Sequence, residues 1–249
     1  MEFLIKILIY IHAFFGGLGL LSGVASLYVR KERTKHRNSG QIFSFSMLIS
    51  SGLSLVIAIL PNHQNTFLFS IGLFTIYLIL SGNRALSFRD SNKLSANTTD
   101  KVISGSMFLI ALIMLIVATF KWIAEHEDAI FFLFFGAIGL FLGINDFRNY
   151  KFYRFQKIAW LKSHIGRMIG ALIAAFTAFL VTGLQRNDII FWITPTFIGI
   201  IIITYWTKKV RKRGFIKEVY KIKFCHSIFD FICDLLSKNN VACTPIITS

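Results

Sequence analysis

The stretch WLKSHIGRMIGALIAAFTAFLVTG, residues 160–183, decides how this chain folds. A small residue recurs at every fourth position of it: Gly166, Gly170, Ala174, Ala178 and Thr182. In a helix this spacing keeps the small side chains in one slowly drifting stripe. Such a stripe lets neighbouring backbones approach closely, which is how helices associate inside a bilayer. The stretch therefore predicts a membrane-spanning helix at the packing centre of a bundle, with His164 and Arg167 at its polar mouth.

The composition of the whole chain is that of a membrane protein. Its 249 residues are 55% apolar and 15% aromatic, with 27 Phe against 3 Pro, and long uncharged apolar runs recur along it. The net charge of +15 would also suit a nucleic-acid-binding protein. The positive charges, however, sit in short loops between apolar segments. No phosphate-binding loop, RNP-like motif or zinc-finger spacing is present, so we expect a lipid bilayer around the chain and no nucleic-acid partner.

Seven apolar segments are long enough to cross a bilayer as helices. They are residues 3–29, 42–60, 67–86, 101–123, 129–145, 160–183 and 189–207. We expect an all-α polytopic membrane protein, a bundle of seven transmembrane helices within residues 1–214. In the remaining part, residues 215–249, apolar residues at helical spacing are broken by Lys and Asp. That pattern predicts a cytosolic amphipathic helix at 215–237 that lies on the membrane surface or on the cytosolic loops.

The distribution of Lys and Arg predicts the orientation of the bundle. With seven spans, 24 of the 27 Lys and Arg residues fall on one side of the membrane. The other side has Lys6, Lys121 and Arg186. Because Lys and Arg are retained in the cytoplasm, the N-terminus is expected outside and the C-terminus in the cytoplasm.

Four segments give the chain a family resemblance. They are His12 with the glycines after it, His36-Arg37 followed by Gly40, the run HIGRMIG…TAF at 164–179, and P-T-x-x-G…Y-W at 195–206. With these segments the chain resembles a large group of uncharacterised bacterial multi-pass membrane proteins that is catalogued as a domain of unknown function. The resemblance implies a place in the bacterial cytoplasmic membrane and this helix layout. It implies no reaction.

His12 is the one histidine well inside a predicted span, where ionisable groups are costly and are candidates for function. By helix rise it lies roughly 20 Å from the depth of His36 and His164, so it cannot share a metal or haem iron with either. A bis-histidine haem needs two histidines at one depth, and His63 and His126 fall in turns at the other end. In the alternative, His12 hydrogen-bonds a Ser or a backbone carbonyl of a neighbouring helix.

A cluster of polar residues shares the cytosolic boundary of the predicted helices: His36, Asn83, Arg84, Asn145, Asp146 and His164. His and Asp side chains suit a zinc or iron site, with His36 and His164 as the candidate ligands, and they can also relay protons near neutral pH. In the alternative reading, Arg84 pairs with Asp146 and the histidines extend among lipid headgroups. We expect Arg84 and Asp146 to lie near each other, because an unpaired charge at this boundary is costly.

Three functions remain open. The first is a non-enzymatic membrane protein that binds or moves a small solute, ion or proton through the cytosolic-face polar site. The second is a membrane redox protein that binds haem, a quinone or a transition metal through histidines. The third is a scaffold or assembly subunit. The sequence contains no G-x-S-x-G, H-E-x-x-H or paired-carboxylate arrangement, so no catalytic residue is assigned.

Overall fold

In the computed structural model, residues 2–29, 33–90, 93, 95–152, 158–185 and 190–212 are described. These residues form seven long helices and no strand. The helices are α1 (Glu2–Tyr28), α2 (Arg33–Ile57), α3 (Thr66–Ala85), α4 (Thr98–Ile123), α5 (Ala129–Phe152), α6 (Ala159–Ala178) and α7 (Ile190–Lys212). All seven are long and apolar enough to cross a membrane. The expected all-α fold with seven membrane-spanning helices is confirmed.

Two short helical pieces extend this layout. A 3-10 helix, Leu86–Arg89, continues α3, and a π-helical turn, Phe179–Gly183, continues α6. The chain divides into two units, Met1–Tyr205 and Trp206–Ser249, and the second is described only as far as Lys212. The predicted boundary at 214/215 and the amphipathic helix at 215–237 lie outside the described residues.

Several helices run past the apolar segments that predicted them. α2 begins at Arg33, nine residues before the apolar segment that predicted it, so residues 33–41 between the first two segments are helical. α5 continues to Phe152 and α7 to Lys212. Hydropathy marks the part of a helix that lies in lipid, whereas Lys, Arg and Gln also favour helix in water. The predicted ends were therefore ends of the apolar core and not of the helices.

The packing centre of the bundle is α3, not α6 as the small-residue stripe predicted. In the apolar stretch with which each helix could span the membrane, 67% of α3 is buried, against 44% of α6. α3 packs against α2, α4, α5 and α6, and its Tyr77, Leu78 and Ile79 are buried. A stripe of small residues permits a close approach on one face, but a central helix needs neighbours on every face.

Only part of the small-residue stripe on α6 packs closely against a neighbouring helix. A Cβ added at Gly170 would lie 3.5 Å from Leu78 of α3, and Ala174 is buried. Ala178 is partly buried, and a Cβ added at Gly166 would meet no atom within 4 Å. Near the start of α6, the glycine that lets α3 and α6 approach closely belongs to α3. A Cβ added at Gly82 would lie 2.9 Å from the Cβ of Arg167.

A small polar cluster around Asp128 lies at one end of the bundle, and we call it the Asp128 clasp. Thr66 at the start of α3 donates a hydrogen bond to Asp128 Oδ2 at 2.8 Å, and Lys121 in the last turn of α4 pairs with the same oxygen at 2.7 Å. Partial burial raises the pKa of Asp128, but the hydrogen bonds from Lys121 and Thr66 outweigh it and hold the pKa below its usual range. The clasp therefore joins α3 and α4 to the start of α5.

Candidate functional site

The opposite end of the bundle, where α1, α3 and α5 end and α2, α4 and α6 begin, carries the buried charged side chains of the described residues, Asp100, Asp146 and Arg167. We call it the basic end. About 12 Å inside the start of α6, by helix rise, Arg167 meets Asp146 of α5, with Nη2 2.5 Å from Oδ1. Asp146 is only 4% exposed and Arg167 only 6%. A full ion pair is thus enclosed by the bundle.

The Arg167 guanidinium has further contacts on two helices. Its Nη2 also donates to the Leu142 carbonyl at 3.1 Å, and the guanidinium lies over the Tyr77 ring, 5.0 Å from the ring centre. Its Nη1 is buried without a hydrogen-bond partner among the described residues. Such an unsatisfied donor is unusual, because most buried polar atoms in folded proteins have a partner.

Two hydroxyl groups complete the surroundings of Asp146. Tyr77 of α3 donates to Oδ2 at 2.7 Å, and Ser104 of α4 donates to the same oxygen at 2.9 Å. Both residues are buried. The carboxylate of α5 therefore collects donors from α3, α4 and α6, and hydrogen bonds to an ionised group are stronger than neutral ones.

The hydroxyl of Tyr150 extends this site by one helical turn of α5. Ser104 Oγ lies 2.6 Å from the hydroxyl of Tyr150, one turn beyond Asp146 on α5. Tyr150 in turn donates to the Asp100 carbonyl at 2.9 Å, and its ring stacks on Phe88. Tyr150 is partly exposed, unlike Ser104. We call the set Asp146, Arg167, Tyr77, Ser104 and Tyr150 the Asp146 network.

A second ion cluster lies beside the network and corrects one prediction. Arg84 pairs with Asp100, with Nε 2.6 Å from Oδ1, and Lys93 pairs with the other carboxylate oxygen at 2.5 Å. The expected pairing of Arg84 with Asp146 is wrong, since each has another partner. Asp100 is better placed for Arg84 because it lies in the first turn of α4, where it also accepts a hydrogen bond from the Asn97 backbone N–H.

The histidines at the basic end are each held by a backbone carbonyl. His164 Nδ1 donates to the Gly82 carbonyl and His36 Nδ1 to the Ser26 carbonyl, both at 2.9 Å. His36 is exposed and His164 is partly buried. Within the described ranges, no group of three or more His, Cys, Asp or Glu side chains is placed to hold a metal ion. The two histidines therefore have structural contacts with α1 and α3, and a shared metal stays a prediction.

The remaining predicted residues are His12, Asn83 and Asn145. His12 Nδ1 donates to the Ser50 carbonyl of α2 at 2.9 Å, and Ser50 Oγ donates to the His12 carbonyl at 3.1 Å. The expected hydrogen bond from His12 to a neighbouring helix is confirmed. Asn83 is exposed, with its Oδ1 3.5 Å from Ser44, and Asn145 is partly exposed.

Sequence reasoning found one residue of the network as a site residue, Asp146, and missed the other four. Arg167 was expected at the polar mouth of α6, although its position, eight residues after Ala159, already indicated a charge inside the span. Tyr77, Ser104 and Tyr150 carry no such signal, because hydroxyl residues are common in membrane helices and gain meaning only from their neighbours.

Comparison with known proteins assigns no function to the Asp146 network. No protein-family model, curated protein or solved structure matches this chain.

Proposed function

We propose that this protein binds or moves a small solute, an ion or a proton through the Asp146 network. The observation that carries the proposal is the Asp146–Arg167 ion pair, buried inside a bundle of helices that are apolar enough to span a membrane. Ionisable groups inside membrane spans are costly and are found mostly where ions or protons are handled.

Stability alone does not explain such a pair. Removing two charges from water is costly, and well-packed apolar residues of similar volume often stabilise a buried site as well or better. The Nη1 of Arg167, which has no hydrogen-bond partner in the described part of the chain, adds to the imbalance, because an unsatisfied buried donor carries its full desolvation penalty. A ligand that supplies an oxygen acceptor, or a change of protonation, would relieve both.

The proposal also covers the membrane in which the protein lies and its orientation there. Together with the resemblance to the bacterial multi-pass family, the positive-inside rule supports a cytoplasmic-membrane protein with its N-terminus outside and its C-terminus in the cytoplasm. In this orientation the basic end, and with it the mouth of the Asp146 network, faces the cytoplasm.

Ligand-dependent thermal stabilisation of the purified protein tests the proposal. A panel of small ions and organic solutes at several pH values is screened against the wild type and against the double variant Asp146→Asn with Arg167→Gln, which removes both charges together. A ligand, or a proton supplied by lower pH, that binds the folded site raises the unfolding temperature.

The matched control is the double variant Lys121→Gln with Asp128→Asn, which neutralises the ion pair of the Asp128 clasp at the other end of the bundle. We expect at least one response that the control retains and the Asp146–Arg167 variant loses. If no response depends on the Asp146 network, the proposed function is wrong.

A further inference from the structure

One face of α3 carries polar side chains along nearly its whole length. Thr66, Ser70, Tyr77 and Arg84 belong to this helix, and at 3.6 residues per turn they lie within about 40° of one another around its axis. We call these four residues the α3 polar stripe. From Thr66 to Arg84 the stripe extends about 27 Å by helix rise, and the hydrocarbon core of a bilayer is about 30 Å thick. The stripe is therefore long enough to cross a membrane.

Three residues of the stripe each donate a hydrogen bond to a different carboxylate of the α4–α5 part of the chain. The pairs are Thr66 with Asp128 at 2.8 Å, Tyr77 with Asp146 at 2.7 Å and Arg84 with Asp100 at 2.6 Å. The side chains of Asp128 and Arg84 are 29% and 34% exposed, whereas Asp146 is buried. The series of contacts thus begins and ends at partly exposed charges and passes a buried one between them.

Two buried groups along this series have no hydrogen-bond partner among the described residues. One is the hydroxyl of Ser70, which is 0% exposed and lies between Thr66 and Tyr77 on the stripe, and the other is Nη1 of Arg167. A buried donor or acceptor without a partner carries its full desolvation penalty. At both positions, therefore, a hydrogen-bonding group of another molecule would be stabilised.

The charges already present decide which kind of molecule fits. Asp146 neutralises Arg167, so an added anion would leave a net negative charge inside the bundle. An added cation would face the guanidinium, and an uncompensated charge at this depth is costly in either case. Nη1 can only donate, so the molecule must bring an acceptor oxygen. A small uncharged molecule with a carbonyl or hydroxyl oxygen meets both conditions.

We propose that the α3 polar stripe lines a transmembrane path for small uncharged solutes that carry a carbonyl or hydroxyl oxygen. This inference rests on the proposed function and names both the class of solute and its passage across the membrane. The solute exchanges hydrogen bonds with the groups of the stripe and with Nη1 of Arg167 in turn. Leu73 lies on the same face between Ser70 and Tyr77 and is partly buried, so it forms an apolar barrier between the two hydroxyl groups.

Solute entry into liposomes that contain the full chain tests the path. Stopped-flow light scattering measures the swelling rate in a gradient of urea or of glycerol, and we expect both solutes to enter faster than into empty liposomes. Ser70→Leu should slow this entry by about tenfold or more, each factor of ten being about 1.36 kcal/mol of barrier. Leu73→Ser, which adds a hydroxyl at the barrier, should speed it. The control Ser106→Leu, on an exposed face of α4, should match the wild type.

The same liposomes test the exclusion of charge. In a gradient of potassium chloride with valinomycin present, the entry of chloride limits the swelling rate. We expect this rate to equal that of empty liposomes, because Asp146 already neutralises the one guanidinium with an unpartnered N–H in the described part of the chain.

Thiol labelling gives a second measurement that does not need the bulky Leu at position 70. Ser70→Cys is made in a chain whose own cysteines, Cys225, Cys233 and Cys243, are replaced by Ser, and the reagent is the uncharged methyl methanethiosulfonate. A thiol reacts as the thiolate, which forms only where polar molecules reach it. We expect Ser70→Cys to be labelled in the folded protein. The matched control is Ser46→Cys on α2, because Ser46 is 1% exposed and its hydroxyl also has no partner among the described residues, and it should stay unlabelled.

Several results overturn the inference. They are urea and glycerol rates equal to those of empty liposomes, chloride entry above that of empty liposomes, a Ser70→Leu variant as fast as the wild type, or equal labelling of Ser70→Cys and Ser46→Cys. If Ser70→Leu does not fold, the labelling result decides. If a ligand still stabilises only proteins with an intact Asp146–Arg167 pair, the path is wrong and the proposed function stands. If no response depends on that pair either, both are wrong.

Discussion

Arg167 brings a full positive charge into the interior of the bundle, and Asp146 neutralises it through a contact between Nη2 and Oδ1. Removing one partner of a buried pair leaves the other charge uncompensated. We therefore expect Asp146→Asn alone, or Arg167→Gln alone, to destabilise the folded protein by about 3–5 kcal/mol. The two substitutions together should destabilise it by clearly less than the sum of the single effects, because neither charge is then left unpaired.

The free energy of unfolding in detergent micelles measures this coupling. The same cycle on Lys121 and Asp128, whose side chains are 32% and 29% exposed, should give a single-variant loss of only about 0.2–1 kcal/mol. Additive effects at Asp146 and Arg167 would contradict an ion pair enclosed by the bundle.

The sequence predicted at which end of the bundle Arg84 and Asp146 lie, but it did not predict the partner of either residue. Asp146 was predicted near Arg84, while the structure joins Asp146 to Arg167 and Arg84 to Asp100. All four residues lie at one end of the bundle, so depth does not distinguish the pairings. Which side chains meet depends on helix rotation and on the order of helices around α3, and a single sequence does not specify either.

At the scale of helices, two glycines at the basic end are expected to respond in opposite ways to a methyl group. A Cβ at Gly82 would lie 2.9 Å from the Cβ of Arg167, whereas one at Gly166 would meet no atom within 4 Å. Gly82→Ala should therefore lower the unfolding temperature, because α3 and α6 must separate. Gly166→Ala should raise stability by up to about 1 kcal/mol through helix propensity alone.

The comparison of the two unfolding temperatures is internally controlled, since both changes add one methyl group to a helix. Equal effects of the two substitutions would show that α3 and α6 do not approach closely at Gly82.

The Asp128 clasp is expected to make the contact between α3, α4 and α5 sensitive to acid. The folded-state pKa of Asp128 lies below its usual range, so the clasp stabilises the protein above the unfolded-state pKa of about 3.9. This stabilisation is lost as the pH falls through the lower folded-state pKa. The difference in unfolding free energy between the wild type and Asp128→Asn should thus be present at neutral pH and shrink toward zero in acid. A difference that grew on acidification would contradict the clasp.

The number of helices could be predicted from the sequence, and their ends and the central helix could not. An apolar run of some twenty residues is decisive for a membrane span, and each of the seven predicted segments overlaps one of the seven helices. The basic residues from Arg33 to Gly40 gave no apolar signal, yet they belong to α2. The glycine stripe of α6 is a strong packing signal, but α3 is central because it has neighbours on more faces.

At the scale of the whole molecule, the charge distribution predicts how the bundle sits in the membrane. With 24 of 27 Lys and Arg residues assigned to one side, we expect the N-terminus outside and the C-terminus in the cytoplasm. A C-terminal fusion to a reporter that is active only in the cytoplasm should be active, and one that is active only outside should be silent. The reverse result would contradict both the orientation and the cytoplasmic position of the basic end.

Replacement of the Asp146–Arg167 pair by apolar residues, Asp146→Leu with Arg167→Met, tests most directly whether the pair serves function and not stability. The measurement is the unfolding temperature of this variant together with its stabilisation by the ligand or the lower pH to which the wild type responds. We predict an unfolding temperature at or above that of the wild type, because a packed apolar pair avoids the penalty of burying charge, and complete loss of the response. A variant that keeps the response, or that no longer folds, would contradict a functional role for the buried pair.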